Sequence, residues 1–255
     1  MQVLTVLFLL CAAASLVSCA GPVDEPASPA PQQVPARVLF IGNSYTYCHD
    51  MPDVVSKLAA ASDPPMTVET DRYTKGGYSF ARHWTDGGAV KKIREGGWDV
   101  VVLQDKSTGP VNQPGPASMK KHARLLHAEI EKVGARTVFY MTWARQHIPD
   151  MIEPLAGHYN EIADELGAGV APVGRAWQAA LAERPDLILH VKDRSHPNQH
   201  GSYLAACVFH ATLTGRDPRG LPNAGLDEVS DADAAFLQKI AWQAVQEHGK
   251  SPWTK

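Results

Sequence analysis

The chain has no Gly-x-x-x-x-Gly-Lys-Ser/Thr, and no Gly-x-Gly-x-x-Gly follows its first strand-like run, so the two common glycine-rich phosphate cradles are missing. Nucleotide binding is therefore not expected. No long basic run occurs, and the 255 residues carry a net charge of −3, so nothing points to nucleic acid. No internal repeat is visible, and nothing marks a second folded domain. Spanning a bilayer takes about twenty apolar residues. The longest apolar run here, 3–17, is too short for that and has the length of a signal-peptide core. Neither Lys nor Arg precedes it, a departure from the usual positive start.

Cysteine is scarce: Cys11 lies in the apolar run, Cys19 just after it, and Cys48 and Cys207 lie further on. The run closes as Leu16-Val17-Ser18-Cys19, which resembles a bacterial lipoprotein cleavage box. That resemblance implies a signal peptide over 1–18, a lipid on Cys19, and an exported protein anchored to a membrane of the bacterial envelope. An ordinary secretory signal cut nearby is the alternative. Pro22, Pro26, Pro29, Pro31 and Pro35 follow, so 19–36 reads as an extended tether that builds no core. At about 3 Å per residue it would hold the rest up to ~50 Å from its anchor. Export permits a disulfide between Cys48 and Cys207, and two buried free thiols are the simpler expectation.

Over 37–250, short apolar runs alternate with longer amphipathic ones. Strands are expected over 38–41, 66–72, 99–104, 137–141 and 169–173. Helices are expected over 52–61, 81–94, 117–133, 151–166, 174–182, 202–213 and 231–247. The alternation predicts an α/β fold: a five-stranded parallel sheet covered on both faces, in three layers α/β/α. With 44% hydrophobic residues, one sizeable core is expected.

Val38-Leu39-Phe40-Ile41 reads as a strand buried on both faces, and Gly42-Asn43-Ser44 follows where such a strand ends. Open α/β sheets bind and react at those ends. A serine placed there after a turn-forming glycine is positioned like a nucleophile, although a turn capping a helix would look the same. A serine nucleophile needs a base, and the base needs a group to hold its tautomer. Asp193 and His196, three residues apart in a polar loop before a helix, supply both types. The carboxylate can reach Nδ1 and leave Nε2 facing outward. His196 and His200 also have zinc-like i,i+4 spacing. Pro197 lies between them and no third ligand stands out, so neither metal nor cofactor is expected.

Gly42-Asn43-Ser44 after the first strand, together with Asp193-x-x-His196-Pro197-Asn198 near the C-terminus, resembles the SGNH hydrolases, also called the GDSL esterase/lipase superfamily. Asn43 stands where that family usually has Asp. The resemblance runs in motif order from Arg37 to Gly215 and implies a flavodoxin-like fold with Ser44, His196 and Asp193 as catalytic triad. It also implies an oxyanion hole built from the Ser44 N–H, the Gly77 N–H and an amide side chain after the third strand. The family's Gly-x-Asn-Asp is absent there, and Leu103-Gln104-Asp105 stands in its place. A Gln amide donates the same bond as Asn, so Gln104 is the candidate third donor. The alternative is a polar residue that ends a strand. The α/β-hydrolases do not match, because they need Gly-x-Ser-x-Gly and this chain has Thr46 at the second glycine.

Tyr45, Trp143 and Arg145 lie near the predicted strand ends and are weaker candidates for substrate contact. The expected function is a serine esterase that cleaves small acyl esters, acetyl foremost, on carbohydrate or cell-envelope glycans. The rivals are a non-catalytic, envelope-anchored binding lipoprotein that keeps the fold, and a metal hydrolase using Asp193, His196 and His200.

Overall fold

The computed structural model describes residues 35–112 and 115–249. The expected signal segment, Cys19 and all but the last two residues of the tether lie outside the described residues. Five strands form one parallel sheet: β1 (Arg37–Gly42), β2 (Glu69–Thr74), β3 (Val100–Leu103), β4 (Arg136–Tyr140) and β5 (Gly169–Ala171). Their order is β2-β1-β3-β4-β5, the doubly wound arrangement in which the chain leaves β1 toward one edge and returns on its other side as β3. The carboxyl ends of β1 and β3 therefore flank the topological switch point, where such sheets open a crevice.

Helices cover both faces. They are α1 (Ser44–Tyr47), α2 (Met51–Ala60), α3 (Phe80–Asp86), α4 (Gly88–Arg94), α5 (Gly115–Lys132), α6 (Ile152–Leu166), α7 (Val173–Glu183), α8 (Gln199–Thr214) and α9 (Asp231–His248). The period-2 geometry of β1 sorts its side chains between two cores. Val38 and Phe40 join the residues of α2, α7, α8 and α9, while Leu39 and Ile41 join those of α3 to α6. Helix α8 is buried from Gly201 to Thr214 because α2 and α9 pack around it. Its small residues Ala205, Ala206 and Cys207 suit a helix enclosed on all sides. Cys48 and Cys207 are both free thiols.

The three-layer architecture expected from the alternation is what forms. Two local readings differ. The second strand begins at Glu69, not at 66, and its row Glu69, Asp71, Arg72 is charged and exposed. It is an edge strand, and edge strands carry charge that blocks further pairing. Met66 and Val68, whose alternation suggested the earlier start, are buried in the lead-in. The single helix expected over 81–94 is two helices, broken at Gly87, whose φ of +74° ends α3.

Candidate active site

At the end of β1 only glycine fits. A Cβ on Gly42 would come within 2.4 Å of Thr46 Oγ1 and 2.6 Å of Gln104 Oε1. The Gly42 carbonyl accepts from Lys75 N at 3.2 Å and from His83 Nε2 at 2.9 Å. Burial pushes the His83 ring down to about 4, so it is neutral at ordinary pH and carries its proton on the nitrogen that faces this carbonyl. Asn43 caps α1: its Oδ1 accepts from Tyr45 N at 3.1 Å, and its Nδ2 donates to Tyr78 O at 2.9 Å. The residue that replaces the family's usual aspartate is thus a buried strap between the loops after β1 and β2. Ser44 opens the helix behind this strap, so its N–H has no acceptor within the first turn.

The loop before α8 brings His196 to that serine. Ser44 Oγ lies 2.7 Å from His196 Nε2, and His196 Nδ1 lies 2.5 Å from Asp193 Oδ2. The other carboxylate oxygen accepts the backbone N–H groups of Ser195 and His196, each at 2.9 Å. Arg194, between them, takes a left-handed φ of +61°, which folds the chain tightly enough for one carboxylate to meet all three donors. Burial alone would raise the Asp193 carboxyl, but the His196 ring and the two N–H groups outweigh it and hold it at about 2. An ionised Asp193 places the imidazole proton on Nδ1 and leaves the Nε2 lone pair for the serine hydroxyl. Asn198 then caps α8, accepting from Gly201 N at 3.0 Å.

Aromatic rings hold this loop from beneath. Tyr45 stacks on Trp143 with centroids 4.4 Å apart and planes 3° apart, and Trp143 stacks on Trp177 at 4.0 Å and 9°. The Tyr45 hydroxyl meets Ser195 Oγ at 2.6 Å, and Trp143 Nε1 donates to Ser195 O at 3.0 Å. Tyr45 and Trp143 were candidates for substrate contact. Both are buried and unavailable to substrate, and they instead position the histidine loop. Trp143→Ala is expected to destabilise the fold by about 3–5 kcal/mol, the usual cost of emptying so large a buried site, as read by urea unfolding. Trp143→Phe should recover most of that stability while losing the bond to Ser195.

Gln104 needs a second correction. It is fully buried, and its Oε1 accepts from Asn43 N at 2.8 Å and from Thr46 Oγ1 at 3.0 Å. Its amide nitrogen donates to the Asp105 carbonyl. Every polar atom is engaged inside the protein, so Gln104 fastens the nucleophile turn and is not an oxyanion donor. Turning the amide over would set NH₂ against the Asn43 N–H, which excludes the reverse assignment. Gly77 lies in the exposed loop after β2 with φ +68°, and its N–H meets no backbone acceptor among the described residues.

Three further residues gave no sequence signal. Asp105 is buried beside this turn, and its Oδ1 accepts from Phe80 N at 2.7 Å at the start of α3. Burial raises its carboxyl to about 6, against which the Phe80 and Lys106 N–H groups work. The folded state then holds a proton that the unfolded chain releases near pH 4, so stability should fall by about 3 kcal/mol as pH rises from about 4 to 6. Asp105→Asn keeps the acceptor and removes the titration. Denaturant midpoints at pH 4.5 and 7.5 should show a smaller drop in this variant. Ser195 and His83 likewise became visible only through their partners. His200 pairs with Asp233 at 3.3 Å, away from His196, and no cluster suited to a metal occurs among the described residues.

A five-stranded doubly wound sheet with serine, histidine and aspartate at its switch point is the arrangement of a hydrolase. A protein from Slackia heliotrinireducens described as a candidate SGNH hydrolase is 29% identical, with a TM-score of 0.60 over 69% of this chain and 98% of that one. The chain belongs to the SGNH hydrolase superfamily. A DUF4886 family protein from Bacteroides uniformis shares the fold at 17% identity, with a TM-score of 0.69 over 84% of this chain and 96% of that one. An acetylxylan esterase from Geobacillus stearothermophilus does so at 15% identity and a TM-score of 0.59, over 72% and 95% of the two chains. No protein-family model and no curated protein matches the chain.

Proposed function

We propose that the protein is a serine esterase that removes small acyl groups, acetyl foremost, from a carbohydrate or cell-envelope glycan. The observation that carries this reading is the hydrogen-bonded line from Ser44 Oγ through His196 to Asp193. Ser44 Oγ attacks the ester carbonyl while its proton passes to His196 Nε2. The tetrahedral oxyanion is met by the backbone N–H groups of Ser44 and Gly77. The intermediate collapses, the alcohol leaves with the proton from His196, and Ser44 holds the acyl group. Water, deprotonated by His196, then releases the carboxylic acid and restores the serine.

The acetyl preference is supported by the acetylxylan esterase among the structural relatives. The envelope setting is supported by the Leu16-Val17-Ser18-Cys19 box and the proline-rich stretch behind it, and a lipid on Cys19 would anchor the enzyme there. Initial rates on p-nitrophenyl acetate, butyrate and octanoate test the acyl preference. The expected kcat/KM falls along that series, and a maximum at octanoate would overturn the short-acyl assignment. Acetylated oligosaccharides test the alcohol side in the same assay.

A further inference from the structure

Beside the histidine loop lies a cavity of about 350 Å³. Trp177, Ile152 and the methyl of Ala182 line it, and Gln178, Asp150 and Arg145 add polar groups. Arg145 stands on the loop after β4, and three bonds stitch that loop to the catalytic one. Gln146 N donates to Arg194 O at 3.0 Å, Trp143 Nε1 to Ser195 O at 3.0 Å, and His190 Nε2 to Ala144 O at 3.2 Å. Whatever Arg145 holds is therefore held in register with His196.

The Arg145 guanidinium is incompletely used. Its Nε is buried and meets no acceptor, and its Nη2 makes only a long contact of 3.4 Å with Ser107 Oγ. Those two N–H groups form the edge of the guanidinium that grips a carboxylate with two parallel bonds. The same chain shows that edge filled elsewhere: Arg124 Nε and Nη2 hold the two oxygens of Glu165 at 2.5 and 2.7 Å. No carboxylate of the described residues lies within salt-bridge distance of Arg145. Glu153, which also lines the cavity, is already taken by Arg175 at 2.6 and 2.9 Å.

We propose that the cavity is a subsite for an acidic sugar, in which Arg145 binds the carboxylate of a uronate residue in the alcohol part of the substrate. Gln178 and the exposed Asp150 offer an amide and a carboxylate to sugar hydroxyls, and Ile152 and Trp177 supply the apolar wall. The inference rests on the esterase reading and adds the charge of the substrate to it.

The test compares kcat/KM on two acetylated oligosaccharides of equal length, one with a uronate beside the acetylated residue and one wholly neutral. The wild-type enzyme should favour the acidic substrate by roughly tenfold or more, the worth of a charge-assisted bidentate contact. In Arg145→Gln that ratio should fall toward one. Arg145→Lys, which keeps the charge and loses the fork, should fall in between. Ala182→Trp, at an exposed position, should lower the ratio by filling the cavity. Equal use of both substrates by the wild-type enzyme overturns the proposal. So does a ratio that Arg145→Gln and Ala182→Trp both leave unchanged. Inhibition of the wild-type enzyme by free acetate as strong as by free glucuronate would overturn it too, by marking a product carboxylate site. Hydrolysis of p-nitrophenyl acetate by the wild-type protein reads the esterase activity separately, so failure there strikes that reading and not the subsite alone.

Discussion

Ser44→Ala is expected to lower kcat on p-nitrophenyl acetate by about 10⁶-fold, to the level left by substrate binding and oxyanion stabilisation. Among the described residues, the hydroxyl is the group hydrogen-bonded to His196 Nε2, at 2.7 Å. Removing it leaves a base with nothing to deprotonate and no atom to carry the acyl group. A fluorophosphonate probe, which bonds to an activated serine, should label the wild-type protein and leave the variant unlabelled. The fold should survive, because Ser44 is only half-buried at the start of a short helix whose cap is Asn43. Equal melting temperatures with lost labelling would separate chemistry from stability. Labelling of the variant at the wild-type rate would refute the nucleophile assignment.

Asp193→Asn is expected to cost about 10⁴-fold in kcat/KM with little change in melting temperature. The asparagine oxygen can still accept from Ser195 N and His196 N, so the loop keeps its turn. Its NH₂ group would then face His196 Nδ1, where the aspartate now accepts at 2.5 Å. A donor at that place drives the imidazole proton to Nε2, and the ring can no longer accept from Ser44. The pH profile separates this from a simple loss of charge. Asp193 is held at about 2, so it is ionised throughout the working range and does not set the acid limb of the wild-type profile. Its pKa lies below the unfolded value, so whatever stability it adds is present above pH 4 and is lost as pH falls toward 2. Activity lost on the acid side above pH 4 should therefore be lost while this part of the fold is intact. Coincidence of the acid limb with unfolding would contradict this order.

These two variants draw on the part of the site that local sequence already marked. Four apolar residues followed at once by Gly-Asn-Ser locate a buried strand end, because the strand period and the glycine turn are short-range features. Asp193 and His196 are three residues apart, a spacing at which one carboxylate can reach both the ring and the backbone of the same turn. The alternation of strand and helix was enough for a parallel three-layer fold, since parallel strands require crossovers. Local pattern failed where orientation depends on distant partners. Gln104 and Asn43 are separated by 61 residues, and only their meeting turns the Gln104 amide inward to tie down the nucleophile turn. Tyr45, Trp143 and Trp177 come from three different elements, and stacking between them converts apparent substrate contacts into support for Ser195 and His196. The sequence by itself therefore determined the fold class and the Ser-His-Asp candidates, whose signals are local. Tertiary packing alone decided which neighbours face substrate and which brace the machinery. A side chain's direction is set by the partners that bury it, and those arrive from elsewhere in the chain.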